Sequence, residues 1–372
     1  MASKIKICHL SSVHLALDTR LFYRFCQSLS QHYDVTLIAV HPKKEIRNNI
    51  AIIPFRRFKN KILRVLVTWF LMLVKALKVN ARLYHIHDPE LIPCGLFLKI
   101  FGKKVIFDIH ENIAEDIFDK PWIQNKKLLH SFFLFFERLA IKNFWIFLAE
   151  NSYEPRYKAM GANYEIVLNY PDLKFFHAYE NVNRNPVPRI FYIGILLRSR
   201  GIIEIAEAIY ILKLRGTEVH FDIVGELYTG LDAELDALPF ISEIKKQLHF
   251  HGRLPLEQGY EISRNAAIGM CIIHPMKNSI GSYPTKMFEF MAIGLPQIVS
   301  NFPLYESVAV GHHCGISADP KNPEDIANAI ENLLQNPTTM RLMSENGLKE
   351  IGQYSWDSQF QKALLVYQKL LM

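Results

Sequence analysis

The regular alternation of short apolar runs with longer amphipathic segments is the feature that most constrains how this chain folds. In the first half, strands are predicted at residues 5–10, 35–40, 83–87 and 105–109, and helices at 20–31, 63–78 and 91–101. The pattern resumes later, with strands predicted at 189–193, 219–224, 248–251, 268–273 and 297–300, and helices at 201–214, 285–292 and 323–334. This alternation is typical of βαβ units, in which helices cover both faces of a parallel sheet.

Length and a linker divide the pattern in two. The chain has 372 residues, more than one hydrophobic core usually organises. The polar, proline-bearing stretch 181–188 (NVNRNPVP) separates the two series of strands. We therefore predict an α/β protein with two doubly wound domains, residues 1–182 and 183–356. Ligands of such sheets bind outside the carboxyl ends of the strands, so the loops after strands are where a site is expected.

The net charge of +7 is concentrated in the first half of the chain. Residues 1–180 carry 26 Lys and Arg against 16 Asp and Glu, whereas the remainder carries 17 against 20. A field of this kind attracts nucleic acid, anionic lipid or phosphorylated substrates, and composition does not choose among them. No recognised nucleic-acid module accompanies the basic stretch, so nucleic acid is not expected as a partner.

Residues 59–78 (KNKILRVLVTWFLMLVKALK) combine large apolar side chains with Lys and Arg in one helix length. Such a helix can lie in the headgroup region of an anionic membrane, and the alternative is a helix that covers the N-terminal sheet. The apolar run 65–74 is about half of the ~20 residues that a membrane-spanning helix needs.

The aromatic stretch 130–147 is expected in a core or a domain interface. The five cysteines form no C-x-x-C pair, and the start has no apolar run followed by a cleavage site. We therefore expect a cytoplasmic protein, with peripheral contact to the inner face of the cell membrane as the further expectation.

The segment 283–296 (YPTKMFEFMAIGLP) predicts an anion site with a carboxylate beside it. Thr285 is expected to cap a short helix, Lys286 adds a charge at the positive end of that helix, and Glu289 follows one turn later. These groups suit the phosphates and ribose of a nucleotide diphosphate. The alternative is a surface helix with solvated Lys286 and Glu289.

A second cluster lies at 192–201 (YIGILLRSRG), where Gly194 ends a strand and Arg198 and Arg200 precede the next helix. Guanidinium groups at this place can bind diphosphate oxygens and stabilise a departing phosphate. The alternative is a solvent-exposed basic turn.

Polar residues also follow neighbouring strands in the first half, at 87–90 (HDPE) and 108–111 (DIHE). Asp18 and Arg20, in the loop after the first strand, are expected at the same rim. His87 and Asp88 have a structural alternative as a hydrogen-bonded pair, and Asp18 and Arg20 have one as a local salt bridge.

Several segments together resemble glycosyltransferase family 4. The donor-side resemblance lies in YIGILLRSRGIIEIAEAI, FDIVGELY, LHFHGRLPLEQ, YPTKMFEFMAIGLPQIVS and YSWDSQFQKALLVYQKLL, and the acceptor-side resemblance in SSVHLALDTRLFYRFCQSLSQHYDVTLIAV and YHIHDPELIPCGLFLKIFGKKVIFDIHE. The resemblance implies the GT-B fold, with two Rossmann-like domains facing across a cleft and a C-terminal helix, 357–372, that crosses back to the N-terminal domain. It also implies retaining sugar transfer without a metal.

The resemblance also implies roles for individual residues. His110, Arg200 and Lys286 stand as catalytic groups, with no metal ligands. The donor-binding set is Gly194, Arg198, Arg200, Gly225, Arg253, Thr285, Lys286 and Glu289, and the acceptor-side set is Asp18, Arg20, Asp88 and Glu111. Many family members carry E-x7-E, but the first position is Gly281 here. The sequence resembles instead the subset P-[NT]-K-[LM]-F-E-[FY]-M, and the backbone, Ser282 or Asn278 is the expected replacement for the missing sugar contact.

The function implied is transfer of a sugar from a UDP- or GDP-linked donor, used as substrate with no cofactor, to a hydroxyl of a growing, lipid-linked surface glycan. The expected partners are the nucleotide sugar, the glycan acceptor and an anionic membrane surface contacted through residues 59–78. Two alternatives stay open: a GT-B nucleotide-sugar epimerase, and a degenerate GT-B scaffold at the membrane without catalysis.

Overall fold

The chain forms two compact units, each built on its own sheet. The structure is a computed structural model that describes residues 4–58, 61–110, 125–180, 187–228 and 230–372. Unit 1 comprises Met1–Asn169 and Trp356–Met372, and unit 2 comprises Tyr170–Ser355. None of the described helices has the length and apolarity needed to cross a membrane.

The sheet of unit 1 has the strand order β3-β4-β2-β1-β5-β6-β7-β8, parallel except for the pairing of β3 with β4. The strands are β1 Lys6–Leu15, β2 Asp34–Val40, β3 Glu45–Arg47, β4 Ile50–Phe55, β5 Leu83–Ile86, β6 Lys104–Ile109, β7 Trp145–Leu148 and β8 Tyr164–Ile166. The helices are a π-helix Thr19–Cys26 continued by α1 Gln27–Ser30, then α2 Lys61–Val79, α3 Ile92–Ile100, α4 Lys126–Asn143, α5 Glu154–Ala159 and the C-terminal α16 Trp356–Leu371.

Two apolar layers cover this sheet. On one side the π-helix and α16 share a core in which Phe25 and Trp356 pack at a centroid distance of 5.1 Å. On the other side α2, α3 and α4 contribute to a second core. Residues 356–371 form a helix with apolar positions repeating every three or four residues, and this stripe is buried in unit 1. The predicted return of the C-terminal helix to the N-terminal unit is confirmed.

The sheet of unit 2 is parallel, in the order β11-β10-β9-β12-β13-β14. Its strands are β9 Arg189–Ile193, β10 His220–Val224, β11 Leu248–Gly252, β12 Ile268–Cys271, β13 Gln297–Ser300 and β14 Gly315–Ala318. Its helices are α6 Leu173–Phe176, α7 Ile202–Leu214, α8 Leu231–Asp236, α9 Ile241–Ile244, α10 Leu256–Ser263, α11 Lys277–Ile280, α12 Thr285–Ala292, α13 Pro303–Ala309, α14 Pro323–Gln335 and α15 Pro337–Glu350. The predicted class, two doubly wound α/β units, is confirmed.

Two details differ from the sequence analysis. The predicted boundary followed residue 182, whereas the compact units divide after Asn169, since Tyr170 packs on Phe288 at a centroid distance of 4.9 Å. The stretch 130–147 is expected in a core or a domain interface; it contains most of α4, and the core alternative does not hold for Phe132 and Phe135, which are 51% and 58% exposed. The aromatic residues of α4 therefore lie on two faces, one packed and one at the surface of unit 1.

Candidate functional site

In unit 2, the loops after β9 and β10 approach each other so closely that side chains are excluded. Gly194 and Gly225 have φ angles of +139° and +155°. A Cβ atom on Gly225 would lie 1.8 Å from the carbonyl oxygen of Gly194. Glycine is required at residue 225 because this separation is far below van der Waals contact. As a result, no side chain at residue 194 or 225 covers the backbone at these two strand ends.

Lys286, near the start of α12, extends its ammonium group to this place. Its Nζ lies 3.4 Å from the centroid of the Tyr192 ring, and a Cβ atom on Gly194 would be 3.2 Å from it. The side chain is 8% exposed. Burial lowers the pKa of Lys286 to about 7, and the nearby charge of Arg200 acts in the same direction. Among the residues that the structure describes, no carboxylate oxygen lies within 4.0 Å of this ammonium.

The two predicted arginines in the turn Arg198–Arg200 differ in their partners. Arg198 Nη1 is 2.6 Å from Glu204 Oε1, and its Nε is 3.1 Å from Glu234 Oε2. Arg200 has no such ion pair within the described ranges, and its charge adds to the effect of burial in lowering the pKa of Lys286. The structure therefore brings Arg200 together with Lys286, whereas the charge of Arg198 is balanced by two carboxylates.

Glu289 lies one turn after Lys286 on α12 and is buried. Its Oε2 accepts a hydrogen bond from the Tyr260 hydroxyl. The prediction that Thr285 caps this helix is wrong, because the N-cap residue is Pro284 and Thr285 is the first helical residue. The first N–H groups of α12 still point away from the helix, as an anion site requires.

The remaining donor-side residues lie in more open surroundings. Arg253, after β11, is 61% exposed in its side chain and lies 3.3 Å from Glu226. Gly281, where the first glutamate of E-x7-E would stand, follows α11, and a Cβ atom added to it would meet no atom within 4 Å. Ser282 is half-buried, and the side chain of Asn278 lies outside the described part.

In unit 1, the carboxylate of Asp108 in β6 is the centre of the polar residues. Arg20 Nε and Nη2 donate to its two oxygens at 2.8 and 2.6 Å. His110 Nε2 lies 2.9 Å and His87 Nδ1 3.2 Å from Oδ2. Burial alone would raise the pKa of Asp108, but Arg20 and His110 hold it well below its ordinary value. The carboxylate is thus charged and bound on both oxygens.

The residues predicted on the acceptor side have different contacts in unit 1. Arg20 is buried, and its Nη1 also donates to the Val167 carbonyl at 2.8 Å. Its ion pair is formed with Asp108 and not with the neighbouring Asp18, so the local salt bridge of Asp18 with Arg20 is not observed. Asp18 caps the π-helix by accepting from the backbone N–H groups of Arg20 and Leu21. Glu111 lies outside the described residues.

Asp88 holds the end of β1 in place. Its Oδ2 accepts from the Ser11 hydroxyl at 2.8 Å and from the Ser12 backbone N–H at 2.6 Å. Its Oδ1 lies 2.9 Å from His14 Nδ1. Burial raises the pKa of Asp88, but the contacts with His14, Ser12 and Ser11 together keep it well below the ordinary value. Both oxygens of Asp88 are bonded within unit 1, and the alternative in which Asp88 pairs with His87 is not among these contacts.

Sequence reasoning missed the residues that surround these groups. His9 and His85, buried beside His87, and Tyr367 on α16 join the polar contacts of unit 1. Tyr192 lies under the ammonium of Lys286 in unit 2. One signal was available: His85 and His87 alternate along β5 and its end, so they lie on one face of the sheet. The contribution of Tyr367 had no local signal, since it comes from the other end of the chain.

Two sets of side chains in unit 1 have possible metal-ligand atoms close together: His9 with His85 and His87, and His87 with Asp108 and His110. In each set these nitrogen and oxygen atoms all lie within 4.8 Å of one another. The same atoms are joined by hydrogen bonds within unit 1: His9 Nδ1 lies 3.0 Å from His87 Nε2, and His110 Nε2 lies 2.9 Å from Asp108 Oδ2. Arg20 donates to both oxygens of Asp108, and the rings of His85 and His87 stack with centroids 4.3 Å apart and an angle of 25°.

Comparison with known proteins shows a likeness in sequence for unit 2 and a likeness in fold for the whole chain. Residues 177–350 match the model of the family described as glycosyl transferases group 1. No curated protein has a significant sequence match to the chain.

Solved structures match the chain over nearly its whole length. Sucrose-phosphate synthase from Thermosynechococcus elongatus has a TM-score of 0.76 at 15% identity, covering 99% of both chains. Anabaena HepE in complex with UDP-glucose has a TM-score of 0.69 at 11% identity, covering 98% of this chain and 100% of that one. WaaG, a glycosyltransferase involved in lipopolysaccharide biosynthesis, has a TM-score of 0.69 at 14% identity, covering 96% and 98%. The chain shares the two-domain GT-B fold of these structures, and the part of it that is similar to the group 1 family lies within unit 2.

The contact between Gly225 and Gly194 gives a prediction about stability. We expect Gly225→Ala to destabilise the protein more than Gly216→Ala, which has φ +84° and open space around its Cβ position. Both variants bear the strain of positive φ, about 1–3 kcal/mol, and only Gly225→Ala adds the collision with Gly194. Urea unfolding of both variants measures the difference. Equal losses of unfolding free energy would contradict the close approach.

Proposed function

We propose that the protein is a retaining glycosyltransferase that moves a sugar from a nucleotide diphosphate to a hydroxyl of a lipid-linked surface glycan. The observation that carries the proposal is the desolvated ammonium of Lys286. It is buried, has a pKa of about 7 and has no carboxylate partner among the described residues. A cation in this state is stabilised by a bound anion, which restores the charge partner that burial has removed.

A nucleotide diphosphate fits the groups around this cation. Its phosphates would take the ammonium of Lys286, the guanidinium of Arg200 and the first N–H groups of α12. Gly194 and Gly225 leave room for phosphate oxygens against the backbone. Glu289, held by Tyr260, would accept hydrogen bonds from the ribose hydroxyls. Arg253 follows β11, and Gly281 and Ser282 follow α11. Contact of the sugar with these residues is part of the proposal.

In the reaction, the bond between the sugar and the phosphate oxygen breaks, and the acceptor oxygen bonds to the same carbon. Negative charge grows on the leaving phosphate while the sugar gains oxocarbenium character. Lys286 and Arg200 would stabilise the phosphate charge in the transition state. The leaving phosphate takes the proton of the acceptor hydroxyl, which favours attack on the same face and retention. The catalytic role of His110, beside the sugar, is part of this proposal.

The comparisons support the choice of substrates. The similar structure of HepE holds UDP-glucose, and the similar WaaG is involved in lipopolysaccharide biosynthesis. A UDP- or GDP-linked donor and a lipid-linked acceptor are therefore the proposal for this chain, without a metal. We also propose that the chain belongs to the subset with the motif P-[NT]-K-[LM]-F-E-[FY]-M, on the basis of residues 284–291 alone.

A surface of unit 1 suits the membrane that would carry such an acceptor. On α2, Met72, Leu73 and Ala76 are buried, while Phe70, Leu71, Val74 and Leu77 are exposed. Trp69 stacks on Phe97 of α3 at a centroid distance of 5.5 Å, and Ile100 and Phe101 of α3 are also exposed. Lysines accompany this apolar surface, and neither α2 nor α3 contains an acidic residue. We propose that it contacts an anionic bilayer peripherally, on the cytoplasmic side.

The first test removes the two cations. We expect Lys286→Ala and Arg200→Ala each to lower kcat about 10²-fold or more, the scale of one lost transition-state charge contact. Lys213→Ala, which changes an exposed cation on α7, is the matched control and should keep its rate. Turnover of donor is measured with and without acceptor. Near-normal rates in both site variants would exclude the assignment, and turnover independent of acceptor would favour the epimerase.

The second test uses pH. Below pH 7 free Lys286 is already charged, whereas above its pKa of about 7 the free protein loses a proton that anion binding must restore. The affinity for UDP should therefore fall between pH 7 and pH 9, with uptake of about one proton at pH 8. Calorimetry in two buffers of different ionisation enthalpy measures this uptake. Lys286→Met should bind more weakly and without this uptake, and a flat wild-type affinity would contradict the proposed contact.

The third test concerns the membrane. Vesicles of phosphatidylcholine with phosphatidylglycerol should carry the protein in flotation, and those of phosphatidylcholine alone should carry less. Phe70→Ser combined with Phe97→Ser should lower binding about tenfold or more, since each buried aromatic side chain contributes about 1.5–3 kcal/mol. Leu365→Ser, at an exposed position of α16, is the control. Equal flotation of the double variant and the control would rule out this surface.

A further inference from the structure

Four cations follow two neighbouring strands of unit 1, at the point where each strand ends. Lys43 and Lys44 come after β2, and Arg56 and Arg57 come directly after β4. All four residues, here called the basic cluster, are exposed. The proposed donor site lies in unit 2, so it gives the charge of this cluster no role.

The strand order of unit 1 brings the two pairs of cations together. β4 lies between β2 and β3, so the segment 41–44 that joins β2 to β3 passes the end of β4. Val40 and Phe55, the last residues of β2 and β4, are partners in the sheet. The two arginines therefore leave the sheet at the place where the passing segment carries its two lysines.

The charge of the basic cluster is not balanced by acidic side chains. Glu45 is the one acid in the sequence from residue 41 to residue 58, and its Oε1 lies 3.3 Å from His41 Nε2. Within the described ranges, none of the four cations has a carboxylate oxygen within 4.0 Å. Like charges held together in this way repel one another and attract an anion.

The basic cluster shares an edge of the sheet with the proposed acceptor side. Leu15 of β1 pairs with Val40, which pairs with Phe55, so three neighbouring strands reach this edge side by side. Neighbouring strands are about 4.8 Å apart, which places Phe55 about 10 Å from Leu15. His14 precedes Leu15, and its ring centroid lies 5.1 Å from that of His110.

The segment that carries the two arginines leads directly into α2. Phe58 packs in the core to which α2 and α3 contribute, and α2 begins at Lys61. The exposed apolar side chains of α2, from Phe70 to Leu77, belong to the surface proposed to contact the bilayer. The basic cluster therefore adjoins the start of the proposed membrane helix as well as the edge that carries His110.

We propose that the basic cluster binds a diphosphate that joins the lipid to the glycan of the acceptor. A diphosphate concentrates negative charge on closely spaced oxygens, and an arginine fork binds two such oxygens at once. A bilayer lipid such as phosphatidylglycerol offers a single phosphate instead. The identity of this diphosphate as part of the acceptor rests on the proposed function, whereas its binding to the cluster is measured without sugar transfer.

The test is binding of farnesyl diphosphate in neutral detergent micelles, with UDP present to occupy the site proposed in unit 2. The wild type should bind farnesyl diphosphate more tightly than farnesyl phosphate. Arg56→Gln combined with Arg57→Gln should lower the affinity for farnesyl diphosphate about tenfold or more, the scale of one lost hydrogen bond between charged groups. Calorimetric titration measures both affinities.

Lys104→Gln combined with Lys158→Gln is the matched control. It removes the same charge from exposed positions of unit 1, at the start of β6 and on α5. Both double variants should keep the wild-type Tm, since the replaced residues are exposed. Equal affinities of the two double variants for farnesyl diphosphate would overturn the proposal, and so would a wild type that binds farnesyl phosphate equally well.

A flotation assay separates the acceptor diphosphate from the headgroups of the bilayer. If the arginine double variant floats less with phosphatidylglycerol vesicles but binds farnesyl diphosphate like the wild type, the cluster binds headgroups and the proposal is wrong. Weaker diphosphate binding in a protein without transferase activity would contradict the proposed function and support the diphosphate site. Transferase activity that depends on Lys286, with diphosphate binding that ignores the cluster, would do the reverse.

Discussion

The ion pair between Arg20 and Asp108 is the interaction on which the polar interior of unit 1 depends. A carboxylate at the end of a buried strand is unfavourable unless its charge is balanced and its oxygens are bonded. Arg20 supplies the charge and two hydrogen bonds, and it also donates to the backbone of residue 167. With Asp108 charged, His87 and His110 can both donate to the same oxygen. The orientation of the proposed catalytic histidine thus depends on an arginine that is buried in unit 1.

The proposed site of unit 2 depends on a different interaction, in which a buried cation packs on an aromatic ring and has no carboxylate partner among the described residues. Gly194 and Gly225 bring two strand ends together, and Lys286 is buried over Tyr192 beside them. Burial lowers the pKa of Lys286 to about 7, so its charge depends on what binds. In the proposed function, a bound anion supplies the charge partner that burial has removed. The carboxylate of Asp108 is balanced within unit 1, whereas the proposal has the charge of Lys286 in unit 2 balanced by a ligand.

The sequence predicted the order of strands and helices well, because periodicity reflects burial on one or two faces. It also predicted Gly194, Arg200, Lys286 and Glu289 as neighbours, since all four lie on loops or helix starts after parallel strands. It could not predict that Arg198 pairs with Glu204 and Glu234. Nor could it predict that the carboxylate of Asp88 accepts hydrogen bonds from residues near the end of β1. Those partners are set by side-chain directions, which a pattern of residue types does not contain.

The sequence by itself determined the fold class and the strand ends at which chemistry was expected, since both follow from local apolar periodicity and from loop composition. Only the tertiary structure decided which polar groups are balanced and which are left open. Tyr367 shows why: it is separated from His9 by almost the whole chain, yet their polar atoms lie 3.2 Å apart. Hydrogen-bond direction and desolvation depend on such contacts between distant segments, and they arise only when the C-terminal helix packs on the first strand's sheet.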